Sequence, residues 1–229
     1  MRFLRRWTIG KQATEPHLNE DACAYSNVNG VFAVSDGASE SFDSRRWARI
    51  LVRRYVRRPR VDEAWLKRAI AEYDTAFDRA SLSWSAQAAL DRGSFATLSG
   101  LIFTPTGVSL LGIGDSLTVL DDGTEICSTF PYVEPDEFRA NPLLLSTIFD
   151  RNVAVLGGDF GVNWRVDSGH TVFCMTDAIG AWLLSDRSER MGLLRNLRSR
   201  AEFVALVESA RADGIMRRDD TTLLVIGSG

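Results

Sequence analysis

The stretch "GVFAVSDGASESFDS", residues 30–44, poses a local question that the rest of the chain answers. Val31 to Ser35 are apolar or small and rich in β-formers, the pattern of a strand entering a core. The run stops at an acid, Asp36, followed by Gly37, Ala38 and Ser39. In isolation this reads as a turn or a helix N-cap, because Asp and Gly favour turns and Asp and Ser cap helices. Upstream, "DACAYS" and "VFAVS" flank Asn29-Gly30, which predicts a β-hairpin. Downstream, Trp47, Ile50 and Leu51, with Val52 and Tyr55, fall at helical spacing. Asp43 or Ser44 is the expected N-cap of that helix, and Pro59 ends it.

The same grammar continues outward. Residues 61–80 predict a second helix with Trp65, Ala69, Tyr73 and Phe77 (or Ala76) on one face. Residues 95–103 and 108–120 read as strands around a Thr-Pro-Thr-Gly turn, and Asp121-Asp122-Gly123 as another turn. Residues 130–156 contain three prolines and little periodicity, so loop and short helix are expected. "HTVFCMTD" predicts a strand, residues 201–214 a helix closed by Gly214, and "TTLLVIG" the last strand. Strands come in hairpins and helices in pairs, the mark of an α+β fold with antiparallel sheets.

Composition narrows the function. The 229 residues suit one large domain, with no repeat or flexible linker to divide residues 1–229. A net charge of −3 argues against a dedicated nucleic-acid binder, and no run approaches a membrane span. The basic stretch "MRFLRRWTIGKQ" lacks the apolar core of a signal peptide. Cys23, Cys127 and Cys174 lie far apart in strand-like text, so neither a disulfide framework nor a zinc knuckle is expected; a reducing, cytoplasmic setting is. With only two histidines, His17 and His170, chemistry needing several imidazoles is excluded.

The opening acid then finds company. Asp115 and Asp177 follow apolar strands, Asp219 and Asp220 precede one, and Glu20 and Asp21 precede another. The basic residues beside them are Arg217 and Arg218. Clustered carboxylates repel and cost several kcal/mol if buried unpaired. The common remedy is a hard divalent cation, which takes oxygen ligands; the scarcity of His and scatter of Cys favour Mg²⁺ or Mn²⁺ over zinc. A set of ordinary turns is the competing reading.

These residues carry a family resemblance. "NEDA", "FAVSDGAS", "GSFATLSGLIF", "GIGDSLTVL", "FCMTDAIG" and "RRDDTTLLVI" occur in an order that resembles type 2C (PPM-type) metal-dependent protein phosphatases of single-domain bacterial kind. The resemblance implies a four-layer α-β-β-α sandwich of two antiparallel sheets flanked by helix pairs. It implies that Asp36 bridges two Mn²⁺ or Mg²⁺ ions and that the Gly37 carbonyl binds one of them. Asp177 and Asp219 would hold the first ion, and Glu20 and Asp21 would sit at the second, directly or through water. Asp115, with Asp177, would serve a looser third site. The implied reaction is hydrolysis of phosphoserine or phosphothreonine in a protein partner by a metal-activated water, with Asp36, Asp177 and Asp219 central.

The chain also departs from the family pattern. Pro16 stands where an Arg often grips phosphate, Ala38 where some members carry a His, Ala178 where Gly is usual, and Leu117 at the Arg of Gly-Asp-Ser-Arg. Arg45 and Arg46, at the start of the helix after Asp36, are the first candidates for the missing grip, with His17 next and Lys11 also in reach. A weakly active or inactive regulatory module of the same fold, and a phosphohydrolase acting on small molecules, remain open. The arginines of residues 45–60 otherwise read as a solvated helix face, His170 as structural, and Cys174 as a buried small residue.

Overall fold

The structure, a computed structural model, describes residues 4–12 and 14–227. In chain order it forms β1 (Leu4–Ile9), β2 (Ala22–Ser26), β3 (Val31–Ser35), α1 (Ser44–Arg57), α2 (Glu63–Asp74) and α3 (Trp84–Arg92). There follow β4 (Phe95–Ala96), β5 (Leu98–Phe103), β6 (Gly107–Ile113), β7 (Leu117–Asp121), β8 (Ile126–Phe130), β9 (Leu145–Ser146), α4 (Val153–Gly157) and β10 (Gly161–Arg165). The chain closes with β11 (Thr171–Met175), α5 (Asp177–Ser185), α6 (Arg187–Asn196), α7 (Arg200–Ala212) and β12 (Thr221–Gly227).

Two antiparallel sheets organise these elements. One runs β1-β12-β11-β7-β8 and the other β10-β6-β5-β3-β2, with β4-β9 a small separate pair. Strand alternation sorts side chains into three apolar layers. Phe32, Val34, Leu101 and Leu110 of the second sheet meet Leu120, Val172, Cys174 and Leu224 of the first, forming the seam between the sheets. The next residues along β11 and β12, Phe173, Met175, Leu223 and Val225, point the other way, onto α5, α6 and α7. Ala33, Leu98 and Ile113 face outward from the second sheet onto Trp47 and Leu51 of α1 and Trp65 and Tyr73 of α2. The layers are therefore α-β-β-α, as the family resemblance implied. Among the described residues no helix is long and apolar enough to cross a membrane.

Local chemistry explains most boundaries. Asp43 and Asp62 cap α1 and α2 by accepting from the N–H groups of Arg46 and Trp65. α2 is shorter than its periodicity predicts: it stops at Asp74, and Phe77 folds back beyond it onto Tyr73 and Phe42, each ring 5.1 Å away. The strand expected over residues 95–103 is broken at Thr97, which leaves the ladder to bond Asp36. Several elements carry no clear sequence signal. β1, β8 and β10 are edge strands in which few side chains are buried. α3 buries none of its side chains. α5 is apolar almost all round because it is covered on nearly every side, so it lacks an amphipathic period.

Candidate metal centre

Antiparallel pairing gathers the acids. Ala22 lies opposite Ser35, so Asp21 and Asp36, one residue beyond each, share one end of the second sheet. In the first sheet Met175 lies opposite both Leu117 and Leu223. Asp115, Asp177 and Asp219 consequently stand at one end of three adjacent strands. Hydrogen bonds join the two sheet ends: Thr176 Oγ1 donates to Asp21 Oδ2 at 3.1 Å, and the Thr97 and Ser116 hydroxyls meet at 3.0 Å.

Asp36, Gly37, Asp115, Asp177 and Asp219 line a single pocket of about 140 Å³, together with Ala38, Ser39 and Thr97. The Asp36 loop is held from behind. Its N–H donates to Thr97 Oγ1 at 2.8 Å, and its carbonyl accepts from Thr97 N–H at 2.9 Å. Gly37 is small for a packing reason: a Cβ there would lie 2.9–3.0 Å from backbone atoms of Ser44 at the start of α1. Gly114 presents Asp115 from a left-handed turn, φ +102°, with Thr97 against it where a side chain would go. Asp177 opens α5, where the helix dipole favours negative charge.

The remaining acids play other parts. Asp220 Oδ1 and Oδ2 accept from the backbone N–H groups of Lys11 and Glu20 at 2.7 and 2.6 Å, which ties the segment before β2 to β12. Glu20 accepts from Lys11 Nζ at 3.2 Å and from Ser44 Oγ at 2.5 Å, so it turns toward α1. Buried Arg211 of α7 donates to the carbonyls of Gly10 and Asp219 and to Thr221 Oγ1, fixing the turn that carries Asp219.

The electrostatics are those of a cluster short of positive charge. Burial, then the charges of Asp21, Asp177, Asp115 and Asp219, hold the Asp36 carboxyl well above the usual carboxylate range. Burial likewise holds Asp21 far up, with Asp220 and Asp177 adding to it. Burial and Asp177 push Asp115 up to about 6. Asp177 is raised by burial against the opposing pull of Arg217. Among the described residues, the cation in direct contact with the pocket carboxylates is Arg217, whose Nη2 bonds both Asp177 Oδ2 and, at 3.2 Å, Asp219 Oδ2.

Metal fit is tested by the donors themselves. All are carboxylate oxygens or a carbonyl, the set preferred by hard divalent cations. Asp21 Oδ1 and Asp177 Oδ1 are buried with no hydrogen-bond partner, which leaves coordination capacity unused. Among the described residues, no three His, Cys, Asp or Glu converge on one ion position. The residues present suit a hard cation, and Arg217 holds two of the implied ligands.

The expected phosphate grip stands differently. Arg45 donates to the His17 carbonyl, while His17 itself is exposed. Arg46 pairs with Asp43 at 2.9 Å and lies over the Phe77 ring at 5.4 Å. None of the three lines the acid pocket. Lys11 approaches its rim, donating to Ser39 Oγ at 3.0 Å. The role of Arg217 was legible in sequence only as its position two residues before Asp219.

The chain is thus a four-layer α-β-β-α sandwich with a carboxylate-lined pocket where its strands end. A protein-family profile described as Protein phosphatase 2C matches residues 11–218, and the chain belongs to that family. No curated protein sequence matches it. Among solved structures, the photosystem II phosphatase PBCP superposes with a TM-score of 0.65 at 13% identity, covering 100% of this chain and 99% of that one. The serine/threonine phosphatase PstP/Ppp of Mycobacterium tuberculosis gives a TM-score of 0.64 at 16% identity, covering 99% and 98%. The catalytic domain of PstP in complex with two manganese ions gives 0.62 at 16%, covering 99% and 97%. At such identities these likenesses show the fold.

Proposed function

We propose that this chain is a Mn²⁺- or Mg²⁺-dependent phosphatase acting on phosphoserine or phosphothreonine in a protein substrate. One observation carries the reading: in a member of the protein phosphatase 2C family, Asp36, Asp115, Asp177 and Asp219 line one pocket at the sheet ends. The manganese pair in the PstP structure supports the choice of ion. Asp36, the Gly37 carbonyl, Asp177 and Asp219 would hold two ions, with Asp21 and Glu20 bordering the second and Asp115 with Asp177 a looser third. When bound, such ions supply a deprotonated water as nucleophile and offset charge on the phosphoryl oxygens.

The chain's own part is positioning. Thr97 fixes the Asp36 backbone, Arg211 fixes the Asp219 carbonyl, and Asp220 clamps Lys11 and Glu20. The backbone that carries the carboxylates thus starts in place, so what rearranges on ion binding is side chains, the Arg217 pair included. Glu20 is held by Lys11 and Ser44, which fits contact with an ion through water better than direct ligation.

A second reading, a phosphatase-fold binding module without turnover, draws on Arg217, which already neutralises Asp177 and Asp219. Hydrolysis of para-nitrophenyl phosphate with Mn²⁺ and with EDTA separates the two. EDTA-sensitive turnover supports the enzyme; none at any Mn²⁺ level leaves the module. Phosphopeptide and nucleotide panels then decide the substrate, and preference for nucleotides would overturn the protein-substrate reading.

A further inference from the structure

The acid pocket and its cation are anchored unequally. The Asp219 carbonyl is held by Arg211, Asp220 by two backbone N–H groups, and Asp36 by Thr97. Arg217 has no such anchor: its side chain is 59% exposed, and among the described residues its ion pairs are with Asp177 and Asp219. It sits between α7 and β12, on a turn that passes through Gly214 at φ +69°. If one partner of this ion pair moves, it is the arginine.

Its position also commands two spaces. Arg217 and Asp177 both line a second pocket of about 240 Å³, walled by Phe138, Ala178, Trp182 and Met216, and Asp177 is shared with the acid pocket. A guanidinium released from the acids stays at this boundary. Of the cations considered for the grip, Lys11 is engaged by Glu20 and Ser39, Arg45 by the His17 carbonyl and Arg46 by Asp43 and Phe77; Arg139, on the wall of the second pocket, pairs with Asp136. A planar guanidinium suits a tetrahedral dianion, which it binds through paired N–H groups.

Building on the metal-centre reading, we propose that Arg217 is an exchangeable counter-ion: it neutralises Asp177 and Asp219, yields them to the incoming divalent cation, and then grips the phosphoryl group of the substrate. Binding of metal and pairing with Arg217 are mutually exclusive at Asp177 Oδ2 and Asp219 Oδ2. Removing the guanidinium therefore strengthens metal binding and weakens phosphate binding. These opposite signs distinguish an exchange residue from a structural one, whose loss weakens both.

The test is Mn²⁺ titration of the full chain, read by electron paramagnetic resonance of free Mn²⁺, followed by calorimetric titration of inorganic phosphate into the Mn²⁺-loaded protein. Wild type is compared with Arg217→Met, Arg217→Lys and Arg218→Ala. Arg217→Met is expected to bind Mn²⁺ about tenfold tighter, the scale of a partly exposed ion pair, and phosphate about tenfold more weakly. Arg217→Lys keeps the charge without the fork and falls between, and Arg218→Ala matches wild type. Unchanged or weaker Mn²⁺ binding in both Arg217 variants overturns the counter-ion, and unchanged phosphate binding overturns the grip. Failure of wild type itself to bind Mn²⁺ overturns the metal-centre reading instead, a result distinct from either.

Discussion

Strand β7 carries a buried carboxylate at one end, Asp121, and another just before its other end, Asp115, and the two are treated differently. Asp121 meets Arg195 of α6, whose Nη2 donates at 2.5 Å and whose Nε donates to both oxygens at 3.1 Å. The Gly123 N–H adds a further hydrogen bond at 3.1 Å. Asp115 has burial and a like-charged neighbour, and its carboxyl is pushed up to about 6. A buried carboxylate matched by its own arginine is finished as structure. One left among other carboxylates is complete only with a counter-ion from elsewhere, which is the physical signature of a site.

The comparison breaks most visibly at Asp36. Asp36→Asn is expected to lower Mn²⁺-dependent hydrolysis by about 10³-fold, the scale of losing a charged contact at the reacting centre. Its metal-free stability should hold or rise, because a repelling charge leaves the cluster. Steady-state rates with urea unfolding in EDTA check both, and wild-type turnover would remove Asp36 from the chemistry.

The opposite end should answer in stability alone. Arg195→Ala strands the Asp121 charge and is expected to destabilise the fold by about 3 kcal/mol, at the lower end for a broken buried pair because Arg195 is partly exposed. Turnover per folded molecule should not change. A loss below about 0.5 kcal/mol would mean that Asp121 finds water or another donor.

Dependence on pH sharpens the contrast further. The pKa of Asp115 is raised, so between roughly pH 4 and 6 the folded protein keeps a proton that the unfolded chain has released. Metal-free stability should therefore fall as pH rises through that window, by up to about 3 kcal/mol. The raised carboxyls of Asp36 and Asp21 carry the fall to higher pH. Saturating Mn²⁺ should flatten or reverse the slope, because cations bind the deprotonated form. Urea midpoints from pH 4 to 8, with EDTA and with Mn²⁺, read the sign; a midpoint that climbs with pH in EDTA contradicts the cluster's electrostatics.

The smallest effect belongs to an ion pair of the same chemistry left in water. Arg79 and Asp91 are each 58% exposed, so Arg79→Ala should shift stability by about 0.5 kcal/mol or less. A shift like that of Arg195→Ala would show that burial is not what separates the two pairs.

Legibility in the sequence followed burial. β3, β5, β6, β7, β11 and β12, buried and apolar, announced themselves, as did α1 and α2 through their apolar stripes and Asp caps. The edge strands β1, β8 and β10 did not, because a strand paired on one side carries polar residues along much of its length. α5 was hidden for the opposite reason, being too apolar to show a face. Among the acids, position at strand ends marked the candidates but not their division of labour. Asp219 and Asp220 are neighbours with like side chains, yet one lines the pocket and the other clamps backbone N–H groups.

The sequence by itself determined the α+β class, the antiparallel hairpins, the family motifs and the recurrence of acids where strands end. These follow from local periodicity and residue type, which short windows contain. Only the tertiary structure decided which acids share a pocket, that Arg195 and not a metal answers Asp121, and that Arg217 bridges Asp177 and Asp219 across 40 residues of chain. Such outcomes depend on strand register and on which helix end lands beside which loop, and no local pattern encodes a distance between segments so far apart.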